Sequence, residues 1–194
     1  MPASLQCSTH AAHFARRLAR SAWLALLFVA AGTGGDAAEL EKEYKIKAAF
    51  LYNFAKFVEW PAERFASETA PIVIGVLGDN QFGTELENIV QDRKANGRDV
   101  LIVRLRSIAD ATGVHILFIS AREVKRYAGS DAVKRPGVLT VGESDAFENA
   151  GGVVTFTTPD DKVRFKINMD AANCSGLRIS AQLQKLAMAV RKKS

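Results

Sequence analysis

The chain has 194 residues, with 26 Lys and Arg against 21 Asp and Glu, for a net charge of +5. That surplus is mild and evenly spread, and no basic stripe with interleaved aromatics appears, which argues against a nucleic-acid partner. With two cysteines and three histidines, none at metal-ligand spacing, no metal and no cofactor are expected.

The first residues read as a secretory signal peptide. Arg16, Arg17 and Arg20 form a basic start, and "AWLALLFVAA" (Ala22–Ala31) is an apolar run too short to span a bilayer, which needs about 20 residues. "GTGGDAA" (Gly32–Ala38) offers small residues for cleavage after Ala37. The expected organisation is residues 1–37 as signal peptide and 38–194 as one domain, delivered to the periplasm. The mature part keeps one cysteine, Cys174, so no internal disulfide can form. A lone thiol in an oxidising compartment is either buried or available for intermolecular pairing, and burial is the expectation here.

"EKEYKIKAAFLYNFAKFVE" lies within a helix expected over Glu39–Glu59, stopped by Trp60-Pro61. Tyr44, Ala48, Leu51, Ala55 and Val58 share one side, and Ile46, Phe50, Phe54 and Phe57 the adjoining side. Together they cover roughly 200° of the helix, more than one sheet face needs. The surplus is expected either to be wedged inside the domain or to meet a partner. Tyr52 falls on the polar arc.

"PIVIGVLG" (Pro71–Gly78) reads as a buried strand and Phe82–Asp92 as a helix. Arg98–Leu105 and His115–Ser120 are two further buried strands. Arg122–Arg135 is an expected helix and Gly137–Ser144 a fourth strand. The alternation predicts right-handed crossovers and a mostly parallel sheet. Gly151–Asn168 then reads as a hairpin around Thr158-Pro159-Asp160-Asp161, and Ala171–Lys192 as a long terminal helix. The fold class expected is α/β: a mostly parallel mixed sheet with helices on both faces, a C-terminal β-hairpin and a long terminal helix.

Catalytic chemistry is not visible. His115 is the only histidine of the mature part, no Gly-x-Ser-x-Gly elbow occurs, and Asp160-Asp161 fits a solvated turn. No catalytic residue is assigned. The loop "GVLGDNQFG" (Gly75–Gly83) joins a strand end to a helix, where α/β sheets place ligands, which makes Gly78, Asp79 and Asn80 candidates for a small-molecule crevice. Its glycines match neither the dinucleotide fingerprint nor a P-loop.

Four stretches together resemble the YfiR family: Glu43–Pro61, Ile72–Gly83, Gly137–Ser144 with Gly151–Phe156, and Val163–Ala187, with "HILFIS" between them. The resemblance implies a non-enzymatic periplasmic repressor that binds the periplasmic sensor domain of an inner-membrane diguanylate cyclase, lowering cyclic-di-GMP and biofilm formation. It also implies an outer-membrane, peptidoglycan-binding lipoprotein as a second partner that sequesters the repressor. Family members carry several cysteines in redox-responsive disulfides, one of them before the "HILFIS" strand. Here Val114 stands in that neighbourhood and Cys174 is alone, so redox control does not carry over. Contact residues for a partner are sought among aromatic and arginine anchors: Tyr52, Trp60, Arg64 and Arg178. A homodimer is left open. The alternative function is a periplasmic solute-binding sensor with its ligand in the crevice after the first strand.

The leader reading has a direct check. Native protein is expected to begin at Ala38, and a mass spectrum of native protein still beginning at Met1 would overturn it.

Overall fold

The computed structural model describes residues 34–130 and 135–192. The chain divides into two compact units, residues 1–40 and 41–194. In the first, the described residues are the opening of helix α1, which runs Gly34–Phe57; the rest of the expected leader lies outside the described residues. Within the second unit no cysteine pair forms and Cys174 is exposed, so the expectation of a buried thiol is corrected. It sits at the end of a short surface helix.

The second unit is built on an eight-stranded mixed sheet. Strands β2 (Ile72–Leu77), β4 (Arg98–Leu105), β5 (Ile116–Ile119), β6 (Leu139–Gly142) and β7 (Val154–Thr157) run parallel, in the spatial order β4-β2-β5-β6-β7. β3 (Lys94–Ala95) adds an antiparallel edge beside β4, turning at Asn96-Gly97, both at positive φ. The fold class expected from the sequence is therefore present, and so is the hairpin. β8 (Arg164–Asn168) pairs antiparallel with β7 across the Asp160-Asp161 turn.

Both faces of the sheet are covered, which is why its strands read as continuous apolar runs. In β5, Ile116 and Phe118 enter one core cluster and Leu117 and Ile119 the other. The first cluster packs under α1. The second packs under the short helices α3 (Val124–Ala128) and α4 (Asp145–Asn149), with Tyr127 stacked on Phe147. α2 (Glu85–Val90) places Leu86 and Val90 in the first cluster.

The aromatic surplus of α1 is used inside the domain. Phe54 is fully buried, its ring centroid 5.9 Å from Phe156 of β7 and 5.3 Å from Phe165 of β8. Phe50 joins the same cluster, 5.2 Å from Phe165. Tyr52, half-buried, donates its hydroxyl to the Lys94 carbonyl at 3.0 Å and so ties α1 to the β3 edge.

The long terminal helix expected over Ala171–Lys192 is replaced by four short elements. α5 (Met169–Cys174) is capped by Asn168 and stopped by Gly176 at φ +69, a conformation that side-chain-bearing residues resist. β9 (Arg178–Ile179) then pairs antiparallel with β1 (Val58–Glu59), which α1 gives up at its end. Ser180 caps α6 (Ala181–Leu186) by accepting from Leu183 N–H. β10 (Ala189–Arg191) closes the sheet parallel to β8. Of the apolar residues read as one side of that helix, Leu177 and Leu183 are buried and Leu186 is exposed.

Phe54→Ala is expected to cost about 3–5 kcal/mol by opening a cavity under α1, while Tyr52→Phe should cost under about 1 kcal/mol. Urea unfolding of the two variants measures both, and the reverse order would overturn this assignment of core and rim.

Candidate functional site

Two polar assemblies lie at opposite edges of the sheet. At the amino ends of the strands, the segment after β1 folds back across β5. Trp60 Nε1 donates to the His115 carbonyl at 3.2 Å and Arg64 Nη2 to the Val114 carbonyl at 2.9 Å. The Arg64 side chain lies across Gly137, where a Cβ would fall 2.4 Å from its Cδ. His115 is sandwiched beneath, stacked on Phe65 at 4.6 Å and edge-on to Trp60. Its Nδ1 accepts the Val73 N–H at 3.1 Å, which places the proton on Nε2, buried without an acceptor among the described residues. Burial, and the Arg64 cation after it, lower the His115 pKa to about 4. Protonation would also set an N–H at Nδ1 against the N–H of Val73. The imidazole is neutral at pH 7 and does structural work.

Of the partner candidates named from the sequence, Tyr52, Trp60 and Arg64 are half-buried and hydrogen-bonded within the domain. Arg178 is exposed, on the β1–β9 ribbon opposite Glu59. Gly78, Asp79 and Asn80 are all exposed. Asp79 pairs with Arg122 at 3.0 Å and Asn80 donates to the Gly83 carbonyl at 3.1 Å.

The second assembly sits at the carboxyl ends of the parallel strands. α1 places Glu43, Tyr44 and Lys47 on one row, and Glu143 follows β6 directly. Lys47 is 3% exposed. Its Nζ donates to Glu143 Oε2 at 2.6 Å, forms an ion pair with Glu43 Oε1 at 2.5 Å, and lies 4.3 Å from the Tyr44 ring centroid. An ammonium so deeply buried carries a desolvation cost of several kcal/mol, and the two carboxylates offset it. The Tyr44 hydroxyl faces both Glu143 oxygens at 2.8 Å and also contacts Gln81 of the β2–α2 loop. Burial, reinforced by the Glu143 carboxylate, holds the Tyr44 pKa far above its usual value, so the phenol stays a donor. Beside this network is a recess of about 230 Å³, lined also by Ala121, Phe156, Thr157 and Thr158. It lies at the carboxyl ends of the strands, the end at which open α/β sheets meet ligands, and Gly78–Asn80 do not line it.

A family profile described as YfiR/HmsC-like matches residues 44–188. The chain belongs to the YfiR/HmsC-like family. The YfiR/HmsC-like match opens on Tyr44 and takes in Lys47, His115 and Glu143. No curated protein matches the chain. Among solved structures, an ABC domain from Streptococcus pneumonia in complex with L-Trp is similar over 62% of this chain and 55% of that one, at 15% identity and a TM-score of 0.39. The chain thus spans little more than half the length of that structure, and so slight a likeness carries no argument. Among the described residues no helix is long and apolar enough to cross a membrane.

Sequence reasoning missed Tyr44, Lys47 and Glu143 as a unit. One signal was present: Lys47 stands on the same helical row as the buried Leu51 and Phe54, at spacings of four and seven. A lysine in a core row needs a counter-charge. Glu143, distant in sequence, gave no local hint.

The depressed His115 sets a pH window. A folded pKa below the unfolded 6.5 means the unfolded chain takes up protons first, so stability is full above about pH 6.5 and falls toward pH 4. Unfolding free energies at pH 7 and pH 4 should show wild type losing about 3 kcal/mol more than His115→Gln, at about 1.4 kcal/mol per pH unit. Equal losses in the two proteins would refute the assignment.

Proposed function

We propose that this protein is a periplasmic, non-enzymatic regulator that binds the periplasmic part of an inner-membrane diguanylate cyclase and holds the cyclase inactive. Membership of the YfiR/HmsC-like family along residues 44–188 carries this reading. An outer-membrane peptidoglycan-binding lipoprotein that sequesters the regulator is the second partner the family implies. A regulator of this kind acts by binding one state of its target better than another. A tenfold repression needs only about 1.4 kcal/mol of differential affinity. That amount is within reach of a few surface contacts. Arg178 is proposed as one of them, because it is exposed on a ribbon outside the main sheet. Tyr52, Trp60 and Arg64 would then support the contact surface from below.

Deleting the gene is expected to raise cyclic-di-GMP and surface adhesion in a cell that holds the cognate cyclase, and wild-type protein should restore both. Arg178→Glu should fold normally and restore little, since losing an anchor weakens binding by about 2 kcal/mol, roughly thirtyfold. Unchanged cyclic-di-GMP on deletion, by mass spectrometry of nucleotide extracts, would overturn the repressor reading. Full restoration by Arg178→Glu would overturn this choice of contact alone.

A further inference from the structure

We propose that the recess between α1 and the carboxyl ends of β5, β6 and β7 binds a small organic cation, a protonated monoamine, between Glu43 and the Phe156 ring. The charge count comes first. Two carboxylates, Glu43 and Glu143, face one ammonium, Lys47, leaving the site with a net charge of −1. Asp79, which also acts on Tyr44, is paired with Arg122 and leaves that count unchanged. Glu143 is fully engaged: Tyr44 reaches both its oxygens and Lys47 one of them. Glu43 is more open, its side chain 29% exposed, and Lys47 takes one of its oxygens. The other has no partner among the described residues.

Glu43 Oε2 is a carboxylate oxygen that can only accept, while the hydroxyls of Thr157 and Thr158, also on the recess wall, can turn to donate or to accept. The net negative charge, with that open carboxylate oxygen, favours a ligand that is positively charged and donates. Phe156 also lines the recess, and an aromatic ring attracts a desolvated ammonium. That ring already borders one positive charge, with Lys47 Nζ 5.9 Å from its centroid. A divalent metal ion is disfavoured, since the Lys47 ammonium stands within 2.6 Å of both carboxylates it would need. The volume of about 230 Å³ is that of about seven waters, enough for an amine of similar heavy-atom count. The buried network is the preorganised part of the site: it fixes Glu143 and Tyr44 before any ligand arrives.

The site does not depend on the repressor reading, because binding is measured on the purified protein. Butylamine hydrochloride is titrated at millimolar concentration into the ¹⁵N-labelled protein, with 1-butanol and sodium butyrate as size-matched neutral and anionic controls. Saturable shifts are expected for butylamine alone, centred on the amides of Glu43, Tyr44, Glu143, Thr157 and Thr158. Glu43→Gln removes the free negative charge but keeps an acceptor for Lys47, and should weaken the amine at least about tenfold. Thr158→Val, at an exposed loop position, should weaken it less. The proposal fails if butylamine gives no saturable shifts, if butanol or butyrate binds equally well, if the shifts map elsewhere, or if folded Glu43→Gln binds as wild type does. If Glu43→Gln does not fold, unchanged affinity in Thr158→Val overturns the assigned lining.

Discussion

Lys47 cannot be buried without company, and much of the domain's geometry follows from that. An ammonium at 3% exposure needs its carboxylates within contact distance. One, Glu43, comes from the preceding turn of α1. The other, Glu143, must come from the sheet, so the helix is registered along the strands as well as laid across them. The aromatic cluster of Phe50, Phe54, Phe156 and Phe165 adds apolar burial between the same two layers. Apolar packing alone would tolerate a helix shifted by a turn. The ion triad does not, because a shift would strand a charge in the interior.

The opposite edge of the sheet is closed by different means. There the loop after β1 uses backbone carbonyls of Val114 and His115 as acceptors for Arg64 and Trp60. No charge pair is involved among the described residues, and the imidazole between them stays neutral. One end of the sheet is thus sealed with neutral and cation-to-carbonyl hydrogen bonds, while the other keeps paired charges beside open space. That asymmetry matches the general rule that ligands meet α/β sheets at the carboxyl ends of strands.

Much of this was legible in the chain. The strand written "RDVLIVRL" has the bounds expected of it, Arg98–Leu105, and β2, β5 and β6 fall inside their expected runs, because β-branched stretches between turn residues leave few alternatives. The family was legible too, from the segments flanking those strands. The terminal helix was not. Leu183, Leu186, Ala187 and Val190 keep helical spacing, but Gly176 breaks the chain locally and the pairing of β9 with β1 is a long-range event that no window of sequence contains. The exposure of Cys174 follows from the same misreading, since its place at the end of α5 depends on where that helix stops. Trp60 and Arg64 looked like surface anchors by type, and the acceptors that engage them lie some fifty residues further along the chain.

The β1–β9 ribbon has a consequence for how the domain is made. Val58 is held against Ile179, and β10 pairs with β8. The first helix is therefore clasped at its exit by a segment far from it in the sequence. A partial chain could pair β2 with β4, but the end of α1 would have no partner strand. Closure of such a contact over long sequence separation is entropically slow, so the exit of α1 is fastened late in folding.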